Sequence, residues 1–189
     1  MQSICVFCGT GRGRGPHYAA ATEELARELV HRGIRVVYGG GNIGLMGVLA
    51  DAVLAAGGEC VGVIPRSLVE KELAHLGLSE LRIVDTMAGR KAEMAELSDG
   101  FIALPGGMGT LDELFEMLTF LQMRLHAKPC GLLDVNGYFA SLQQWLDTAV
   151  AEGFLRPKHR TLLIEGTEAA ALLDRMAAFV PGGGRRAVR

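Results

Sequence analysis

Short apolar runs alternate along this chain with longer stretches whose apolar residues recur at helical spacing. The runs predict strands over 2–8, 34–40, 59–65, 81–86, 100–107, 128–134 and 161–166. The intervening periodic stretches predict helices over 18–33, 44–58, 88–98, 110–125, about 138–151 and 168–180. Strands that are apolar at nearly every position, each followed by an amphipathic helix, are the pattern of a parallel sheet covered on both faces. The expected fold class is therefore α/β: a Rossmann-like, doubly wound parallel sheet of about seven strands. A strand order 3-2-1-4-5-6-7 would place its reversal between the first and fourth strands. The loops after strands one, two, four and five would then surround the crevice where such sheets bind ligands.

Composition narrows the picture. The 189 residues fit one domain, here read as 1–180, with a glycine-rich, basic tail over 181–189 expected to be disordered. A net charge of −2 offers no basic field for a nucleic-acid backbone, so no nucleic-acid partner is expected. No uninterrupted apolar stretch is long enough to span a membrane. The first residues lack the basic and long apolar segments of a secretory signal, and a cytoplasmic location is expected. Cys5 and Cys8 form a C-x-x-C, but positions three apart on a strand face opposite ways. Buried structural thiols are the expectation for these two, with no metal and no cofactor.

Three segments carry candidate chemistry. Gly39-Gly40-Gly41-Asn42-Ile43-Gly44 matches G-x-G-x-x-G between a strand and a helix. Gly40 and Gly41 could cradle a phosphate, or the glycines could serve only a tight turn and close packing. A dinucleotide is disfavoured, because the next strand ends Ile64-Pro65-Arg66 rather than on a ribose-binding acid. The second segment, Pro105-Gly106-Gly107-Met108-Gly109-Thr110-Leu111-Asp112-Glu113, also joins a strand to a helix and suits an anion. Within it, Thr110-x-x-Glu113 reads equally as a capping box or as a cap followed by a catalytic carboxylate. The third is Arg90-Lys91, early in a helix, where cations oppose the macrodipole. The pair is either solvated surface or a sign of an anionic partner.

Together, CVFCGT, YGGGNIGLMG, GVIP, RKAEM, LPGGMGTLDE, HAKPCGLL and GYF resemble the LONELY GUY family of cytokinin riboside 5′-monophosphate phosphoribohydrolases, whose members are often mislabelled lysine decarboxylases. The resemblance runs from about residue 4 to residue 155. It implies a homodimer with its active site close to the interface, and release of free base and ribose 5-phosphate from a purine nucleoside 5′-monophosphate, AMP included. It carries the family's catalytic arginine onto Arg90 and its catalytic glutamate onto Glu113. Substrate contacts fall on Glu72, Arg90, Lys91, Gly107, Met108, Gly109, Thr110, Leu111, Asp112, Glu113 and Thr119, with Gly106 in the same phosphate loop. Where the family commonly reads M-H-x-R-K, this chain has Met87-Ala88-Gly89-Arg90-Lys91, and Phe120 stands in place of a common tryptophan. The alternative of another class is a non-catalytic nucleotide or molybdenum-cofactor carrier of the same fold. Lysine decarboxylation is not expected, because Lys71, Lys91, Lys128 and Lys158 lie in no motif that would support a Schiff base.

Overall fold

The computed structural model describes residues 1–69 and 73–180. Glu72 and the tail over 181–189 lie outside the described residues. Seven strands form one parallel sheet: β1 (Ser3–Phe7), β2 (Arg35–Tyr38), β3 (Cys60–Pro65), β4 (Glu80–Val84), β5 (Gly100–Ala103), β6 (Cys130–Leu133) and β7 (Leu163–Gly166). The spatial order is β4-β3-β2-β1-β5-β6-β7. This corrects the expected order in one respect. The fourth strand pairs with β3 at the sheet edge, and β5 takes the place beside β1. The reversal therefore lies between β1 and β5. The strand itself carried the sign: in Glu80-Leu81-Arg82-Ile83-Val84 charged and apolar residues are mixed and none is buried, whereas β1, β3, β5 and β6 are buried throughout. A strand with one open edge tolerates such residues; a central one does not.

The helices α1 (Pro16–His31), α2 (Gly44–Ala55) and α8 (Ala169–Ala177) cover one face of the sheet. There Leu25, Leu29, Leu45, Leu49, Leu172 and Met176 pack on Ile4, Val36 and Ile102. The opposite face is covered by α4 (Met87–Glu96), α5 (Met108–Gln122) and α6 (Ala140–Ala151), with Met94, Leu114, Met117 and Leu146 against Val37, Val61 and Phe101. Two short helices, α3 (Arg66–Val69) and α7 (Pro157–Arg160), were not expected from periodicity. A single turn is too short to show one, although the proline opening α7 is a helix-start signal. Cys5 and Cys8 fall in opposite cores, as alternation along the chain requires, and both are buried outside any disulfide. No helix among the described residues is long and apolar enough to cross a membrane.

Candidate active site

The site grows from two helix starts at the carboxyl ends of the strands. α5 begins three residues earlier than its capping-box reading requires. Its N-cap is Gly107, which makes no side-chain cap, so Thr110 is the third residue of the helix and Glu113 lies in its second turn. The capping-box interpretation of Thr110-x-x-Glu113 is therefore corrected. Thr110 turns inward and is buried, and Glu113 is free to face α4. Gly107, Met108 and Gly109 are exposed at the start of the helix. The first helical amide bonded to a backbone carbonyl is that of Leu111, to Gly107 at 3.2 Å. The amides before it have no carbonyl one turn back to accept them, which leaves a positively polarised helix end facing outward.

α4 is opened by Thr86, whose hydroxyl accepts a hydrogen bond from the Gly89 amide at 3.0 Å. This cap, missed in the sequence because Thr86 reads as the end of a strand, steadies the turn that Gly89 would otherwise loosen. Arg90 then projects across the ends of β3 and β2. Its Nε donates to the Val63 carbonyl at 3.1 Å and its Nη2 to the Gly39 carbonyl at 3.3 Å, while Nη1 lies 3.3 Å from Glu113 Oε1. Arg90 and Glu113 are each only 9% exposed. The guanidinium is thus hydrogen-bonded to two backbone carbonyls while it pairs with Glu113, a set of contacts an ammonium cannot reproduce. Burial raises the carboxyl of Glu113 above its ordinary range; Arg90 pulls it back down, and Asp112 pushes it up again.

Gly39 makes this arrangement possible. A β-carbon there would lie 1.7 Å from Arg90 Nη2, with the guanidinium carbon at 2.9 Å. Gly39→Ala should therefore expel the guanidinium from its pocket and lower turnover at least about tenfold, the effect of misplacing an aligned group. Steady-state kinetics on the folded variant check this.

Lys91 ties the two helices together on the outside. Its Nζ is 3.0 Å from both Asp112 Oδ2 and Glu116 Oε2, and the two carboxylates raise its affinity for its proton. Arg90, Lys91, Asp112 and Glu113 are thus gathered in one place, beside the exposed Gly107–Gly109 segment. Leu111 packs instead toward the core beneath α5. Thr119 does not join the charged pair: it is exposed on the face of α5 that carries Asp112 and Glu116, further from the helix start. The two glycine-rich segments also differ. Gly40 and Gly41 are buried, the Asn42 amide donates to the Leu73 carbonyl, and the Leu45 amide is taken by the carbonyls of Gly9 and Gly11. Gly106 is wedged under Thr110, and its carbonyl accepts from the Tyr138 hydroxyl at 2.6 Å. A cavity of about 1350 Å³ lies elsewhere, at the far end of α5 near Arg124, Phe154 and Lys158, and contains none of these groups.

Fold and site together define a Rossmann-like protein with a buried arginine–glutamate pair beside an open helix start at the sheet reversal. The profile of the family described as possible lysine decarboxylase matches residues 46–176. Over 181 residues, 96% of the chain, it is 48% identical to a probable cytokinin riboside 5′-monophosphate phosphoribohydrolase of Oryza sativa subsp. japonica, covering 74% of that protein. It is 47% identical to a cytokinin riboside 5′-monophosphate phosphoribohydrolase of Arabidopsis thaliana, again over 96% of the chain and 85% of the relative. The chain belongs to this family, the LONELY GUY proteins. Among solved structures it is similar in fold to the molybdenum cofactor carrier protein of Chlamydomonas reinhardtii, with a TM-score of 0.70 at 19% identity over 94% of this chain and 98% of that one.

Proposed function

We propose that this protein hydrolyses the N-glycosidic bond of a cytokinin riboside 5′-monophosphate, and of AMP, to free base and ribose 5-phosphate. The observation that carries the proposal is the buried Arg90–Glu113 pair next to the exposed amides of Gly107, Met108 and Gly109. The C1′–N bond breaks with its electron pair passing to the base, the oxygen of one water adds to C1′, and one proton of that water ends on the departing base. The sugar becomes cationic in between, and a carboxylate beside C1′ stabilises that charge and orients the water. Glu113 is that carboxylate, and its low-dielectric surroundings strengthen the effect. Arg90 holds Glu113 in place and contacts the ribose phosphate. The α5 start receives the phosphate, Lys91 and Asp112 line the approach, and buried Thr110 supports the loop from beneath. Glu72 and Thr119 are proposed substrate contacts on the family resemblance alone. A homodimer, with its interface close to this site, belongs to the same proposal.

A carrier of nucleotide or molybdenum cofactor would share the fold, but it would not need a buried carboxylate held against a guanidinium. The test is turnover. AMP and isopentenyladenosine monophosphate should each release free base, and adenosine should be turned over at least about a hundredfold more slowly under the same conditions, the phosphate interactions being lost. Chromatography of the free base measures both. Equal rates for adenosine and AMP would remove the phosphate site from the mechanism, and no release from any of them would favour the carrier.

A further inference from the structure

The peptide between Gly106 and Gly107 has an anchor outside its own loop. Neither residue has a side chain, and at Gly106 none could fit: a β-carbon would lie 2.0 Å from Thr110 Oγ1 and 2.9 Å from the Gly9 amide nitrogen. A peptide between two glycines rotates at little steric cost. Here its carbonyl is held by Tyr138, 32 residues further along the chain, at 2.6 Å. In a trans peptide the C=O and the following N–H point in opposite directions, and the chain has no cis bond among the described residues. Fixing the Gly106 carbonyl toward Tyr138 therefore turns the Gly107 amide to the other side. No carbonyl or side chain among the described residues accepts that amide.

The tyrosine is 45% exposed, and its position is set by the turn before it and by two ring contacts. It follows a turn in which Asn136 and Gly137 both have positive φ, 56° and 69°. Buried Asp134, at the end of β6, accepts the Phe139 amide at 2.9 Å and closes this turn. The Tyr138 ring meets Phe139 edge-on at 4.9 Å and Tyr18 edge-on at 5.8 Å. The loop after β6 thus grips the loop after β5 through Tyr138, and the loop after β1 grips it through the Gly9 amide, which donates to the Pro105 carbonyl at 3.1 Å.

We infer that Tyr138 is a positioning residue for phosphate binding: by holding the Gly106 carbonyl it aims the Gly107 amide at the anion. The inference rests on the phosphate site proposed above. If the peptide flips, it presents a carbonyl oxygen to the phosphate instead of a donor. Residue 107 lies at φ −97°, and the flip would carry it to positive φ, open to glycine but strained for alanine. A β-carbon at 107 meets nothing within 4 Å. Gly107→Ala should therefore block the flip by a route independent of Tyr138.

The experiment is calorimetric titration of ribose 5-phosphate into wild type, Tyr138→Phe, Gly107→Ala and the double variant, with melting curves for each. Tyr138→Phe keeps the ring contacts and should melt within a few degrees of wild type. It should bind roughly three- to tenfold more weakly, the scale of one lost hydrogen bond, and KM for AMP should rise by a similar factor with kcat little changed. In the Gly107→Ala background the Tyr138→Phe penalty should shrink below about twofold. Wild-type affinity in Tyr138→Phe, a fall in kcat at unchanged KM, or an equal penalty in both backgrounds overturns the inference; Gly107→Ala serves only as the second background, and each penalty is read against its own parent. Failure of the wild type itself to bind ribose 5-phosphate overturns the phosphate site, and the role of Tyr138 with it.

Discussion

Glu113→Gln should cut turnover by at least about a hundredfold, the scale for losing one preorganised electrostatic group, while the melting temperature stays within a few degrees. Glutamine fills the same volume and still offers an oxygen to Arg90 Nη1, now 3.3 Å from the carboxylate. It lacks only the charge. A pH dependence separates rate from stability. The Glu113 carboxyl is raised by burial, so the folded chain holds this proton more tightly than the unfolded one. Its favourable contribution to stability is complete below the unfolded pKa and is lost as pH rises through the folded value. The melting temperature of the Gln variant relative to wild type should therefore improve from acid to neutral pH. In the wild type, the acid limb of kcat/KM from Glu113 should lie above the ordinary glutamate range and vanish from the residual activity of the variant. Unchanged turnover in a well-folded Gln variant would make Glu113 structural.

Arg90→Ala should be inactive, and Arg90→Lys should lose at least about tenfold. The lysine result carries more information. A diffuse positive charge would survive the change, whereas a planar fork hydrogen-bonded to the Val63 and Gly39 carbonyls while it pairs with Glu113 would not. Arg90→Ala should also cost stability, because it strands a buried carboxylate. Removing one partner of a buried pair typically costs about 3–5 kcal/mol, and here the loss is limited by Glu113 taking up a proton. Its melting temperature should thus recover toward that of wild type as pH falls. Near wild-type kcat/KM in Arg90→Lys would reduce Arg90 to a point charge.

Much of this arrangement is legible in the amino-acid order, because alternation and helical period are local signals. The strands and the major helices follow from them. Strand order does not, since pairing is decided by contacts distant in sequence; the charges in β4 were the one local hint of an edge. The start of α5 was misplaced because Thr110 has the chemistry of a cap and Gly107 has none to show. The motifs brought Arg90 and Glu113 forward as a resemblance, but their contact joins α4 to α5 and could not be read from spacing. Gly39, Thr86 and Tyr138 serve the site through what they exclude, cap or hold. Such roles depend on a partner elsewhere in the chain and leave no pattern of their own.

The sheet edge has a consequence for how the protein fails on heating. β4 pairs on one side only, and α4, which carries Arg90, follows it. Arg82 bridges Glu80 in the strand and Glu93 in the helix, on the half-exposed outside. Edge elements with solvent-exposed ladders open at lower free energy than the centre of a sheet. An excursion that lifts β4 and α4 together withdraws the guanidinium, while Glu113 stays on α5 beside the central strands. Such opening removes half of the charged pair and uncovers the Met94 side of one core, while the core under α1, α2 and α8 stays packed. Activity should therefore disappear at a temperature where β1, β2 and β5 still protect their amides from exchange.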